Sequence, residues 1–171
     1  MTAAELLLED FYLEMASTRR TLERLPESAD KGEYKPHPKS STLGKLAMHV
    51  ATLPRFGTSI LTLPGYDMSD TSRPRPDSTF RGREATLATF DTLAAEARVA
   101  LAVTTDADLN APWKFSFGER VISDSSRALT FRRMFLSHLI HHRAQLGVYL
   151  RLNDLPIPGC YGPSADDTAK P

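Results

Sequence analysis

Five histidines occur in the chain, and three of them fall within one stretch of five residues, His138, His141 and His142. His138 and His142 are four apart, which puts them one turn apart on the same face of a helix. Two imidazoles so placed can grip one metal ion, and a third ligand from elsewhere gives a site with an open position. A lone histidine on an apolar face is more commonly a core residue bonded to a carbonyl or water. Here the pair continues an inward row of Phe131, Phe135, His138, His142, Gln145 and Tyr149. Two uncharged rings side by side need partners for all four nitrogens. A metal ion would satisfy one nitrogen of each ring and leave the other to an outer acceptor.

His49 supplies a candidate third ligand, since it lies beside Leu46, Val50 and Leu53 on the inward side of an earlier helical stretch. Helical bundles build such sites from side chains on facing helices. Three neutral nitrogen donors suit zinc, nickel, cobalt, iron or copper, whereas magnesium and calcium prefer oxygen. With no anionic ligand the ion keeps its full charge, which favours activating a water or thiol or polarising a carbonyl. His141 points about 100° away from His142 and is read as a neighbour or oligomer contact. His37, between Pro36 and Pro38, is expected in solvent, although a connector crossing the site would bring it close. Cys160 is read as a quiet loop thiol, and Asp166 and Asp167 as solvent-facing charges. No phosphate-binding glycine loop, H-E-x-x-H or G-x-S-x-G is present.

Four helical stretches must position these residues. The first, 2–25, carries Leu7, Phe11, Met15, Thr18, Leu22 and Leu25 at three- and four-residue steps, with Thr2 and Glu5 as a capping box. The second begins near Ser41, with Ser40, Ser41 and Thr42 competing for the cap, and should kink at Pro54. The third covers 83–104. The fourth and longest covers 126–153. Between them, residues 64–82 read as a long loop, and a loop of that length is often functional. In 106–123, Trp113, Phe115 and Phe117 alternate with polar residues, which suits a short hairpin or an irregular crossover; the crossover is the form adopted here. The expected architecture is all-α, a four-helix bundle in one domain spanning 1–171, with an irregular tail from about residue 154.

Composition sets wider bounds. Lys+Arg and Asp+Glu balance at 21 each, so nothing marks the chain for nucleic acid. One cysteine forbids an intrachain disulfide and fits a reducing cytoplasm. The opening residues mix acidic groups among leucines, unlike a signal peptide. No run approaches the roughly 18 apolar residues of a membrane span.

The segment from His138 to Leu152, followed by Pro156, Pro158 and Tyr161-Gly162-Pro163-Ser164-Ala165-Asp166-Asp167, resembles the last helix and tail of the DinB family. This is the damage-inducible, YfiT-like group regarded as metalloenzymes. His49 within Leu46-Ala47-Met48-His49-Val50-Ala51 matches that family's histidine in the second helix. The resemblance implies an up-down-down-up four-helix bundle, commonly dimeric, with one divalent metal on His49, His138 and His142. Ala144 stands where the family usually has glycine, a departure that should leave the ligands undisturbed. Some relatives are thiol-dependent S-transferases and isomerases using low-molecular-weight thiols.

Two functions follow as expectations. The first is a metal-dependent enzyme, an S-transferase or hydrolase, with zinc or nickel foremost and a small-molecule substrate. Gln145 and Tyr149 would position substrate or support the ligands. The loop 64–82 and the tail would shape the pocket, and Arg73, Arg75, Arg81 and Arg83 could bind an anionic thiol. The second is a non-catalytic stress-response bundle with a structural metal, His37 or a tail carboxylate filling the fourth position. A homodimer is expected in either case, with no nucleic acid and no membrane.

Overall fold

The computed structural model describes residues 1–75 and 77–167; Pro76 of the long loop and the last four residues of the tail lie outside the described residues. Helix α1 (Ala3–Leu22) starts on the expected capping box, with Thr2 Oγ1 accepting from the Glu5 amide and Glu5 returning to the Thr2 amide. Pro26 follows shortly, and a 3₁₀ turn (Ala29–Glu33) leads into α2 (Leu43–Thr62). Of the three competing caps, Thr42 is used, accepting from the Lys45 amide. Helix α2 runs on through Pro54 as one element.

After α2 the chain forms a short strand, β1 (Gly65–Asp67), and then a long irregular segment to Gly82. Gly82 has φ of +99°, and a Cβ there would lie 2.1 Å from the Glu27 carbonyl oxygen, so this turn into α3 (Arg83–Ala102) admits only glycine. A five-residue helix, α4 (Asp106–Asn110), precedes strands β2 (Pro112–Phe117) and β3 (Arg120–Ser126).

The expectation of a purely helical chain with an irregular crossover is therefore corrected. Residues 112–126 form an antiparallel hairpin, and β1 joins it in parallel, pairing Tyr66 with Phe115 in a sheet of order β1-β2-β3. The cause lies in the alternating aromatics. Trp113 and Phe115 bury against Phe56 of α2 and Tyr66 of β1. Trp113 Nε1 donates to the Leu63 carbonyl at 2.9 Å, where α2 ends. Arg127 Nη1 donates to that same carbonyl at 2.8 Å, so the hairpin is anchored to the end of α2.

The last helical stretch is also more complex than one helix. Ser126 caps a turn, α5 (Arg127–Thr130); a π-helical segment follows (Phe131–Ser137) and passes directly into α6 (His138–Arg151). Phe131 and Phe135 in the π segment are fully buried, worth about 1.5–3 kcal/mol each. The core between the four long helical stretches holds Phe11, Leu22, Val50, Ile60, Phe90, Leu101, Leu139 and Leu146. No helix among the described residues is long and apolar enough to cross a membrane.

Candidate metal centre

His49 stands on α2 among buried Leu46, Val50 and Leu53, and α2 packs along α6. His138 is the first residue of α6 and His142 lies one turn further. The three rings meet through their Nε2 atoms. His49 Nε2 is 3.3 Å from His138 Nε2, and His142 Nε2 is 2.7 Å from His138 Nε2. Ligand atoms of all three lie within 4.8 Å of one another, inside the roughly 6 Å beyond which three rings cannot share one ion.

Tautomers can be assigned from the outer partners. Gln145 Oε1 lies 2.7 Å from His142 Nδ1, and because the amide oxygen only accepts, that nitrogen carries the proton. The Met134 backbone one turn earlier favours the protonated form of the His138 ring, whose Nε2 faces the other histidines. With its proton on Nδ1, the neutral His142 ring turns an Nε2 lone pair towards His138. Three neutral ring nitrogens this close together form a ready donor set for a cation. The donor set fits a divalent transition metal: bonds of about 2.0–2.1 Å in a tetrahedron give edges near the 3.3 Å seen between His49 and His138. The His138–His142 contact is tighter and would open slightly.

Electrostatics keep the rings in the ligating form. His49 is pushed down to about 4, chiefly by desolvation and then by the neighbouring His142 and His138. Desolvation also lowers His138, aided by His142 and opposed by the Met134 carbonyl. His142 is lowered by desolvation, with Gln145 opposing. Near neutral pH all three rings are therefore uncharged bases.

A groove of about 390 Å³ opens beside the centre, lined by Ser40, Ser41, Lys45, Leu46, His49, His142, Gln145, Val148 and Tyr149. Tyr149 donates through its hydroxyl to the Ser41 carbonyl at 3.1 Å, tying α6 to the approach to α2. The other histidines stay apart. His141 is exposed and touches only the edge of His142, and His37 Nδ1 accepts the Lys39 amide in the connector. Neither belongs to the three-histidine group, nor does any carboxylate among the described residues.

The model of the DinB superfamily matches residues 11–146. This chain belongs to the DinB superfamily. Two solved structures share the DinB fold with it. A DinB-like protein from Bacillus cereus is 23% identical, with a TM-score of 0.64, covering 90% of this chain and 95% of that one. The DinB-like protein YjoA from Bacillus subtilis is 17% identical, with a TM-score of 0.66, covering 89% and 96%. No curated protein matches the chain.

Two expectations about this DinB-superfamily site are corrected. The described residues of loop 64–82 and of the tail do not line the groove; the walls come from residues 40–49 and 142–149. The loop arginines are engaged locally instead. Arg73 pairs with Asp70, Arg81 with Asp77 and Arg83 with Glu27, while Arg75 donates to the Met68 carbonyl. Asp166 pairs with Arg151, and Asp167 accepts backbone amides within the tail.

Sequence reasoning also missed Arg143. It is buried, meets Glu14 Oε2 at 2.7 Å as a close charge pair without hydrogen-bond alignment, and donates to Thr18 Oγ1 and the Tyr161 hydroxyl. That network faces a second and larger cavity of about 520 Å³ between α6 and the tail, where Cys160 also lies. It holds no cluster of metal-ligating groups, so the chemistry is assigned to the smaller groove. Arg143 gave one sequence signal: it lies four residues after Leu139 and three before Leu146, both core positions.

Proposed function

We propose that His49, His138 and His142 hold one divalent transition metal ion, zinc or nickel first, and that the protein is a metal-dependent enzyme acting on a small molecule. The observation that carries this reading is the convergence of the Nε2 atoms of three neutral imidazoles beside an open groove. An ion held there would lower the pKa of a bound thiol or water, or polarise a carbonyl. Thiol S-transfer is the foremost reaction, in which sulfur bonds to an electrophilic carbon, that carbon's leaving group departs with its bonding pair, and the thiol proton passes to water or to the leaving group. Gln145 fixes the tautomer and orientation of His142. Tyr149, whose hydroxyl is committed to Ser41, forms a wall of the groove rather than a free acid. The purely structural alternative needs a fourth protein ligand. His37 and the tail carboxylates that were candidates for it are bonded elsewhere, which favours the open, catalytic form.

The reading extends to a single up-down-down-up domain over residues 1–171, working in the cytoplasm as a homodimer without nucleic acid. Elemental analysis of protein purified without added metal tests its centre. About one equivalent of zinc or nickel per chain is expected, with stoichiometric uptake lost in His142→Ala. Unchanged uptake in that variant refutes the ligand set. Substoichiometric metal after loading with either ion refutes the reading altogether.

A further inference from the structure

The groove beside the histidines contains a cation that no carboxylate among the described residues neutralises. Lys45 lies four residues before His49, one turn earlier on the same face of α2, with side-chain origins about 5–6 Å apart. It is exposed, and no carboxylate among the described residues pairs with it. The other lining residues, Ser40, Ser41, Leu46, Gln145, Val148 and Tyr149, are all uncharged. The groove thus offers two points to an electron-rich ligand: the ion that the imidazoles would hold and, one helical turn away, a free ammonium. The arginines of the long loop cannot take the second role, because each is already bonded and none lines the groove.

We propose that Lys45 is a specificity-determining residue that selects small molecules carrying a carboxylate a few bonds from the atom presented to the histidine centre. This rests on the metal reading above. A ligand whose donor atom and carboxylate are separated by two or three carbons spans one helical turn. It would meet both points at once, and the flexible lysine stem takes up the remaining distance. The uncharged walls leave the ammonium as the lining's single charge preference, so a neutral analogue of equal size gains nothing from it.

The test compares 3-mercaptopropionate with 2-mercaptoethanol, thiols that differ chiefly in the carboxylate. Protein loaded with Co²⁺ reports thiol binding by its absorption spectrum, independently of any turnover. Wild type is expected to bind the carboxylated thiol about three- to fivefold more tightly, the size of a solvent-accessible ion pair. That preference should shrink as salt rises. Lys45→Met should erase it and Lys45→Arg should keep it, both with unchanged Co²⁺ stoichiometry and unchanged 2-mercaptoethanol affinity. A preference that persists in Lys45→Met, or is absent from wild type with full Co²⁺ occupancy, overturns the role of Lys45 alone. Failure of wild type to take up Co²⁺ overturns the metal reading and this inference together.

Discussion

Gln145 and the three imidazoles show how outer contacts set inner chemistry. Removing the acceptor in Gln145→Ala frees the His142 tautomer, and metal affinity should fall about 10- to 100-fold, measured by competition with a chromophoric chelator. An unchanged affinity would mean that the Gln145 contact is incidental. The protonation behaviour gives a second outcome. An unfolded histidine titrates near about 6.5, whereas His49 in the folded, metal-free protein does so at about 4. Between those values the unfolded chain holds more protons, so acid favours unfolding. Metal-free protein should therefore lose stability as pH falls from about 6.5 towards about 4, and His49→Gln should flatten that slope in urea titrations. The same slope in both would show that His49 is not desolvated. The pairing of His138 with His142, and the row continuing to Gln145 and Tyr149, were legible because helical spacing alone brings them to one face. His49 was legible from its apolar neighbours. Lys45 was not, since a lysine near a helix start reads as surface charge until the groove beside it is known.

At the level of elements, the segment before the site carries the more demanding geometry. A Cβ on Gly57 of α2 would lie 2.8 Å from Phe135 Cδ1, and Phe135 is fully buried in the π segment, with no room to yield. That close approach brings the π segment against α2 just before His138 begins α6. Alanine in place of glycine ordinarily favours a helix by about 1 kcal/mol, but overpacking costs about 1–3 kcal/mol. Gly57→Ala should thus be destabilising by about 0–2 kcal/mol in urea unfolding, with weaker metal binding because His49 and His138 are pushed apart. Greater stability would show that Phe135 can move. The sheet was the least legible element. β1 has three residues, its parallel partners Lys114 to Ser116 lie 49 positions along, and β3 is mostly polar, so periodicity carried little signal. The π segment has no composition of its own and shows only in the backbone.

Across the whole molecule, α6 serves two sides with adjacent residues: His142 faces the groove, and Arg143 faces α1 and the tail. Arg143 joins Glu14 of α1 to Tyr161, whose hydroxyl returns to Glu14 Oε1 at 2.7 Å. Glu14→Ala leaves a buried guanidinium without its counter-charge and should cost about 3–5 kcal/mol in denaturant unfolding. Tyr161→Phe keeps the charge pair and should cost about 0.5–1.5 kcal/mol. Equal losses would mean the network is exposed to water. Its partners were invisible in the sequence because they are separated by 129 and 147 positions, and no local pattern links them. That separation bears on assembly order: a clasp joining the first long helix to the polypeptide's closing stretch must wait for nearly everything between them. Early folding events then proceed with Arg143 still hydrated, and the last step to form should be the first to open when the native state begins to come apart.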